Sequence, residues 1–173
     1  MDLEIVAAHL GNARADLDAV MALLREARSW HQQQGVEAWR EFDVTRIAAD
    51  IEAGRVTLAR SASRACGTVT LMQSDGLVWA EEAGDALYVH KLAVARRDAG
   101  LGIGAQLLRW AQGAARQRGK RWLRLDTWDG NRKMRDYYER QGFRHVRDQY
   151  FAPDSDLPAD YRGSHKSLYQ LEL

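Results

Sequence analysis

The residues from Gly100 to Gly104 alternate glycine with an apolar residue, and a segment with helical spacing of apolar side chains follows them. Glycine lets the backbone turn tightly and approach a ligand closely. The free N–H groups and the positive dipole end of the following helix favour an anion. The run therefore predicts a site for a phosphorylated ligand, and the expected anion is a pyrophosphate.

A dinucleotide-binding fold is one interpretation of this run. Gly100, Gly102 and Ala105 fit the pattern G-x-G-x-x-G/A, and Asp126 lies 21 residues beyond Ala105, where that fold places its ribose-binding acid. In that fold the strand runs almost directly into the first glycine, whereas residues 95–99 intervene here. A nucleotide-dependent oxidoreductase is therefore the least favoured of the three functions that this sequence suggests.

A second interpretation accounts for more of the chain. A buried strand, a basic linker and the glycine run are followed by a helix, a second strand, Asn131 and the sequence Tyr-Glu-Arg-Gln-Gly-Phe over residues 138–143. This order resembles the GNAT superfamily of acyl-CoA-dependent N-acetyltransferases, and the resemblance extends over nearly the whole chain. It implies acetyl-CoA as the cosubstrate and a primary amine as the acceptor.

The resemblance implies that the glycine run cradles the coenzyme A pyrophosphate on backbone amides. The family's pattern is Q/R-x-x-G-x-G/A, and with the helix beginning near Gly102 its first position falls on Ala99. A frame shifted by two residues places Arg97 there but displaces the helix face, so the first register is preferred. The implied cradle consists of Ala99, Gly100, Leu101, Gly102, Ile103 and Gly104.

Acyl transfer from a thioester to an amine requires a neutral nucleophile, stabilisation of the tetrahedral oxyanion and a proton for the departing thiolate. By resemblance the acid is Tyr138, which stands seven residues after Asn131; Tyr137 is its neighbour and not the match. A phenol with an ordinary pKa of about 10 is protonated at neutral pH and can donate. Asn131, by resemblance, contacts the cofactor, and it can also cap the helix that follows.

The resemblance also implies that the strand over residues 86–95 splays away from the next strand of the sheet. In this family the freed backbone pairs with the pantetheine arm like an additional strand. A backbone N–H of Leu92, Ala93 or Val94 would then donate to the oxyanion, and these three residues join the implied cofactor-binding set.

The general base has several candidates. A strand position that is often Glu in relatives is Tyr88 here. His90 lies two residues further on and should share a strand face with Tyr88, and an imidazole can accept a proton near neutral pH. The alternatives are Asp126, Glu81 or Glu82, and an ordered water molecule.

Composition limits the possible classes of protein. A chain of 173 residues, 46% of them hydrophobic, suits one domain over residues 1–173 with a sizeable core. No apolar run approaches the length that spans a bilayer, and the N-terminus lacks the basic segment of a secretion signal, so a cytoplasmic protein without a membrane partner is expected. Cys66 is the single cysteine. No Cys/His cluster has the spacing of metal ligands, so no metal is expected.

The charges are unevenly distributed, although the formal net charge is only +1. Residues 91–147 carry a large excess of Lys and Arg, whereas residues 1–90 carry more Asp and Glu. The basic region coincides with the predicted phosphate site and favours an anionic cofactor, and the acidic remainder suggests a cationic acceptor. No basic stripe with interleaved aromatic residues appears, so nucleic acid is not an expected partner.

The spacing of apolar residues predicts an α/β fold with the order βααβββαβαββ. The strands are expected over residues 3–8, 55–60, 67–73, 86–95, 122–128, 143–151 and 165–173. The helices are expected to begin after Asn12 or Asp16 and after Asp43, and to cover residues 102–118 and 131–141. This order matches the family and implies one mixed central sheet, flanked by helices and splayed between its fourth and fifth strands.

The acceptor walls of the family are variable, and here they would be residues 29–43 and 154–160. A small-molecule amine is preferred to a protein as the acceptor. The C-terminal strand over residues 167–173 is expected to be exposed, and it could pair across a homodimer. The alternative to an enzyme is a non-catalytic acyl-CoA-sensing module on the same scaffold, and the presence of Tyr138 argues against it.

Overall fold

A computed structural model of the chain describes residues 2–11, 15–80 and 84–173. Its helices are α1 (Ala15–Gln33), α2 (Val44–Glu52), α3 (Gly76–Trp79), α4 (Ile103–Gln117) and α5 (Arg132–Arg140). Its strands are β1 (Glu4–Ala7), β2 (Val56–Ser61), β3 (Arg64–Met72), β4 (Ala86–Val94), β5 (Trp122–Trp128), β6 (Arg144–Tyr150) and β7 (His165–Glu172). The predicted order is confirmed, and the structure adds α3, which is too short to display a helical period. None of the helices described is both long and apolar enough to cross a membrane.

The start of α2 agrees with the sequence, and for α1 the structure excludes one of the two predicted caps. The carboxylate of Asp43 accepts hydrogen bonds from the backbone N–H groups two and three residues further on, at 2.9 and 3.3 Å, as an N-cap does. Asp16 lies inside α1, and its carboxylate accepts a hydrogen bond from the backbone N–H of His9 at 2.9 Å. The alternative cap, Asn12, lies outside the described residues.

The described strands form one mixed sheet in the order β1-β2-β3-β4-β5-β7-β6. The pair β4–β5 is parallel, and the other described pairs are antiparallel. Strand β7 therefore lies between β5 and β6, and its residues 166–169 are buried. The prediction that the C-terminal strand is exposed is wrong, because β6 folds back and pairs with the edge that a dimer partner would need.

The sheet opens between β4 and β5. These strands pair from Ala86 opposite Trp122 to Tyr88 opposite Arg124 and diverge beyond that point, although β4 continues to Val94. The predicted splay is confirmed. Beyond Tyr88, the edge of β4 that faces β5 has no partner among the strands described, so its backbone polar groups are available to a ligand.

A β-bulge interrupts β4 at Lys91. The register with β3 passes from Thr70 opposite His90 to Thr68 opposite Ala93, so β4 has two residues where β3 has one. The φ angle of Lys91 is 51°, a left-handed conformation that residues other than glycine rarely adopt. Since a bulge inserts one residue, it reverses the face on which the following side chains lie.

This reversal decides which core each part of β4 joins. Before the bulge, Leu87 and Val89 pack in the cluster that contains α4. After it, Ala93 and Ala95 pack in the cluster that contains α1 and α2, whereas Leu92 packs toward the α4 side. Uninterrupted alternation would have kept all the odd-numbered positions on one face.

Candidate active site

A cavity of about 980 Å³ occupies the opening between β4 and β5. One wall, here called the glycine wall, consists of Leu92, Ala93, Val94, Ala99, Gly100, Gly102, Ile103, Gly104, Tyr137 and Tyr138. The other, here called the aromatic wall, consists of Trp30, His31, Trp39, Asp75, His90, Asp126, Trp128, Tyr161 and Lys166. The predicted cofactor-binding residues thus come together, except Leu101 and Asn131, which do not line the cavity.

Two glycines give the loop before α4 its path. Gly100 has φ 84° and Gly102 has φ 76°, and glycine adopts such angles without steric cost. Gly102 immediately precedes α4, so the unpaired N–H groups of the first helical turn begin at the glycine wall. Ala99 is exposed and offers only its backbone to a polar ligand, and the side chain of Leu101 is exposed.

An ion pair anchors the turn that leads into this loop. Arg64 of β3 donates two hydrogen bonds to the carboxylate of Asp98, at 2.7 and 2.9 Å. These hydrogen bonds hold the pKa of Asp98 below its usual range and tie the short 3-10 turn Arg96–Asp98 to the sheet. The sequence analysis did not identify this pair, because 34 positions separate its members and neither belongs to a motif.

Two adjacent tyrosines of α5 form the inner part of the glycine wall. Tyr138 is 6% exposed, and its ring centroid lies 6.0 Å from that of Phe143 and 6.3 Å from that of Tyr169. Burial raises the pKa of Tyr138 well above that of an ordinary tyrosine, so the hydroxyl stays protonated at physiological pH. The hydroxyl of Tyr137 lies 2.7 Å from the point that a Cβ on Gly104 would occupy.

Asn131 caps α5. Its side-chain oxygen accepts a hydrogen bond from the backbone N–H of Met134 at 3.2 Å, and the residue is buried. The sequence left open whether Asn131 caps the helix or contacts the cofactor. The structure places it at the cap, from which it sets the start of the helix that carries Tyr138.

His90, Asp75 and Asp126 form a cluster on the aromatic wall. Nε2 of His90 lies 3.3 Å from Oδ2 of Asp75, and one ligand atom from each of the three residues lies within 4.8 Å of the others. The hydroxyl of Tyr161 donates a hydrogen bond to the carboxylate of Asp126 at 2.9 Å. The sequence treated His90 and Asp126 as alternative bases, whereas the structure brings them together.

The electrostatics of the cluster are dominated by burial. Burial raises the pKa of Asp126; His90 and Lys166 act against the rise, and the negative charge of Asp75 adds to it. An imidazole between two carboxylates can bind an ammonium ion and accept a proton from it. Among the residues that the structure describes, the same three side chains are also placed so that they could hold a metal ion.

Asp75 and Lys166 of the aromatic wall, like Tyr161, were not identified from the sequence. Asp75 immediately precedes α3, and nothing in its surroundings in the sequence associates it with His90. Lys166 of β7 places its ammonium 4.0 Å from the centroid of the Trp128 ring. Both are distant in sequence from every motif, so only folding reveals them.

The predicted acceptor segments do reach the cavity. From residues 29–43 come Trp30, His31, Trp39, Glu41, Phe42 and Asp43, and from residues 154–160 come Leu157, Pro158, Ala159 and Asp160. The ring centroids of Trp39 and Trp128 lie 5.9 Å apart, as in a packed aromatic pair. Glu81 and Glu82, the remaining candidates for the base, lie outside the described residues.

We expect Asp126→Asn to stabilise the fold at neutral pH. Because the folded-state pKa of Asp126 is raised, stability declines as the pH rises from the ordinary aspartate value of about 4 through the raised value. Asparagine does not titrate and can still accept the hydrogen bond of Tyr161. In thermal melts from about pH 4 to about pH 8, the Tm of the variant minus that of the wild type should therefore increase.

The matched control is Asp154→Asn, since Asp154 is exposed. Its Tm difference from the wild type should show no comparable trend. A difference for Asp126→Asn that stays constant or decreases with rising pH would contradict the raised pKa.

Comparison with known proteins places this site in a family. Residues 18–143 match the model of the acetyltransferase (GNAT) family. The uncharacterized N-acetyltransferase YesJ of Bacillus subtilis (strain 168) is 28% identical over 137 residues, which cover 74% of this chain and 76% of that protein.

Solved structures share the fold. A GNAT-family acetyltransferase from Listeria monocytogenes 4b F2365 aligns with a TM-score of 0.73 at 22% identity, over 99% of this chain and 95% of that one. The PaiA N-acetyltransferase from Thermoplasma acidophilum, in complex with coenzyme A, aligns with a TM-score of 0.74 at 15% identity over 100% of both chains. The family match includes β4, the glycine loop and Tyr138, and it shows that this chain belongs to the GNAT family of acetyltransferases.

Proposed function

We propose that this enzyme transfers the acetyl group of acetyl-CoA to the primary amine of a small molecule, by direct attack of the nitrogen on the thioester carbon. The observation that carries the proposal is a single cavity lined by both Tyr138 and the His90 cluster. Burial, the neighbouring Tyr137 and the negative charge of Asp126 all raise the pKa of Tyr138. An acid and a base thus face one space, as acyl transfer requires.

The glycine wall suits coenzyme A on chemical grounds. Open space lies where side chains would begin at Gly100 and Gly102, so a pyrophosphate can approach the amides at the start of α4. The unpaired edge of β4 beyond Tyr88 can bind the pantetheine amides as an added strand would. Because Ala99 has no polar side chain, backbone groups would supply the phosphate contacts at that position. When bound, acetyl-CoA supplies an activated acetyl thioester.

His90 is the proposed general base. It accepts one proton from the ammonium of the acceptor and so makes the nitrogen nucleophilic. Asp75, at 3.3 Å, orients the imidazole and stabilises the imidazolium that forms, and Asp126 attracts the incoming ammonium. As the C–N bond forms, backbone N–H groups of residues 92–94 stabilise the negative charge on the carbonyl oxygen.

Tyr138 is the proposed acid. It donates its proton to the sulfur as the C–S bond breaks, and its raised pKa keeps this proton in place until then. The nitrogen loses a second proton when the amide forms, and this proton restores the phenol. In total, one C–N bond forms, one C–S bond breaks and one proton is released.

The aromatic wall favours a small acceptor over a protein. The segment from Trp30 to Arg46 and the loop over residues 157–161 both line the cavity beside the His90 cluster. Side chains from three separate parts of the chain thus surround the reacting position. A cavity of this size accommodates a small molecule and keeps its amine away from bulk water.

Coenzyme A binding should depend on glycine at position 104. A Cβ there would lie 2.7 Å from the hydroxyl of Tyr137, so the tyrosine ring would have to move along the glycine wall. We expect Gly104→Ala to raise the Kd of coenzyme A about five- to tenfold, or about 1–1.4 kcal/mol, in isothermal titration calorimetry.

Gly113→Ala is the matched control for this substitution, because Gly113 lies in the same helix with open space around it. It should leave the Kd unchanged and stabilise the helix by about 0.5–1 kcal/mol. If the two variants bind coenzyme A equally well, the cofactor does not lie beside Gly104.

Thiol release from acetyl-CoA in the presence of a panel of primary amines tests the proposed reaction. Tyr138→Phe removes the acidic hydroxyl and keeps the ring, so kcat should fall roughly 10²-fold or more while the Kd of coenzyme A is unchanged. Tyr137→Phe should retain most of the turnover. Unaltered turnover in Tyr138→Phe removes this residue from the mechanism, and coenzyme A binding without release for any amine favours the sensing module.

His90→Gln tests the general base. We expect kcat/KM to fall roughly 10²-fold for alkylamines, which arrive protonated, and to fall much less for weakly basic amines that are already neutral at the assay pH. His145→Gln is the control. Nε2 of His145 lies 2.8 Å from the carboxylate of Asp148, and the residue does not line the cavity. Equal losses for strongly and weakly basic amines would exclude His90 as the base.

A further inference from the structure

We propose that the acceptor carries a carboxylate as well as the reacting amine, and that Lys166 binds this carboxylate. The inference rests on the proposed function and specifies the substrate class of the same site. It makes the acceptor an amino acid or a similar aminocarboxylic acid, in place of a purely cationic amine.

The first argument is the environment of Lys166. The residue is only 3% exposed, yet it lines the cavity. Its ammonium lies 4.0 Å from the ring centroid of Trp128 and 5.3 Å from that of Tyr161. Among the residues described, it forms no hydrogen bond and has no carboxylate within ion-pair distance. A buried ammonium without an anionic partner is costly, and a ligand in the cavity can supply that partner.

The other Lys and Arg side chains of the cavity are different. Lys91 lies 3.8 Å from Oδ2 of Asp50 and therefore has a carboxylate partner. Arg46, Arg96 and Arg140 line the cavity with exposed side chains, where water can solvate the charge. Among the described residues, Lys166 is thus the deeply buried cation of this cavity that has no carboxylate within ion-pair distance.

The position of Lys166 relative to the His90 cluster determines how far apart the amine and the carboxylate of the acceptor can be. Lys166 is the cross-strand partner of Trp128, and Asp126 stands two residues before Trp128 on the same face of β5. Tyr161 bridges the two, since its hydroxyl binds Asp126 at 2.9 Å while its ring faces the ammonium. The carboxylate that would bind the acceptor's ammonium and the ammonium that would bind its carboxylate are therefore close together. This arrangement suits a small zwitterion.

Charge favours a carboxylate over a phosphate. The lysine pKa is lowered by burial, and Asp126, Glu37, Asp160 and Asp129 act in the opposite direction. These carboxylates are too far from Lys166 to form an ion pair with it, but their negative charge would repel a doubly charged anion more strongly than a singly charged one. One ammonium and one carboxylate neutralise each other in the wall.

The test compares three forms of each acceptor in the thiol-release assay. The panel contains amino acids, among them phenylalanine, β-alanine and 4-aminobutyrate, each beside its carboxamide and its decarboxylated amine. For at least one amino acid, wild-type kcat/KM should exceed that of its carboxamide and its decarboxylated amine about tenfold or more. Lys166→Met should lower kcat/KM about 10- to 100-fold for that amino acid and change it less than about twofold for the carboxamide.

Two further variants distinguish carboxylate binding by Lys166 from a purely structural role. Lys166→Arg keeps a cation and should retain most of the preference for the carboxylate, which a purely structural role would not explain. Lys133→Met removes an exposed lysine of α5 and should behave as the wild type. The wild-type comparison needs no variant, so misfolding of Lys166→Met does not prevent a decision.

The outcomes separate this inference from the proposed function. Turnover of amines without any preference for a carboxylate overturns the role of Lys166 and leaves the acetyltransferase mechanism intact. Equal losses for amino acid and carboxamide in Lys166→Met also overturn it. Coenzyme A binding without thiol release for any member of the panel overturns the proposed function itself, and this inference with it.

Discussion

The separation of β4 from β5 beyond Tyr88 is the constraint on which the rest of the structure depends. A strand inside a sheet normally has both edges paired, and unpaired backbone N–H and C=O groups require other partners. Here the two strands part after three register positions, and the cavity lies in the gap. The glycine loop, α5 and the predicted acceptor segments all line this opening, so the site follows from an interruption of the sheet.

The bulge at Lys91 lets the part of β4 beside the opening pack against the cores on both faces of the sheet. It directs Leu92 toward the α4 core and Ala93 toward the α1 and α2 core, and the backbone between them runs along the cavity. Lys91 adopts an unfavourable left-handed conformation and, at 3.8 Å, pairs with Asp50 at the end of α2. Backbone strain of this kind persists where the surrounding packing imposes it, and functional sites are a common place for it.

Burial shifts the pKa values of three ionisable groups of the cavity away from their ordinary values in water. Burial raises the pKa of Asp126 and of Tyr138 and lowers that of Lys166. Each shift reflects a charge that the protein solvates poorly and that a ligand of opposite charge can compensate. In our proposals, the same burial that weakens the fold locally gives the site its acid, its attraction for an ammonium and its preference for a carboxylate.

Much of this protein is determined by sequence patterns that act locally. The alternation and helical spacing of apolar residues specify the strands and long helices, Asp43 specifies the start of α2, and the glycines specify the loop before α4, because each depends on backbone conformation or on nearby side chains. The tertiary structure alone decided the rest. It covered β7 with β6, created the bulge at Lys91, and brought Asp75 and Lys166 to the cavity. These features depend on strand register and on contacts between distant segments, for which a single sequence carries no local signal.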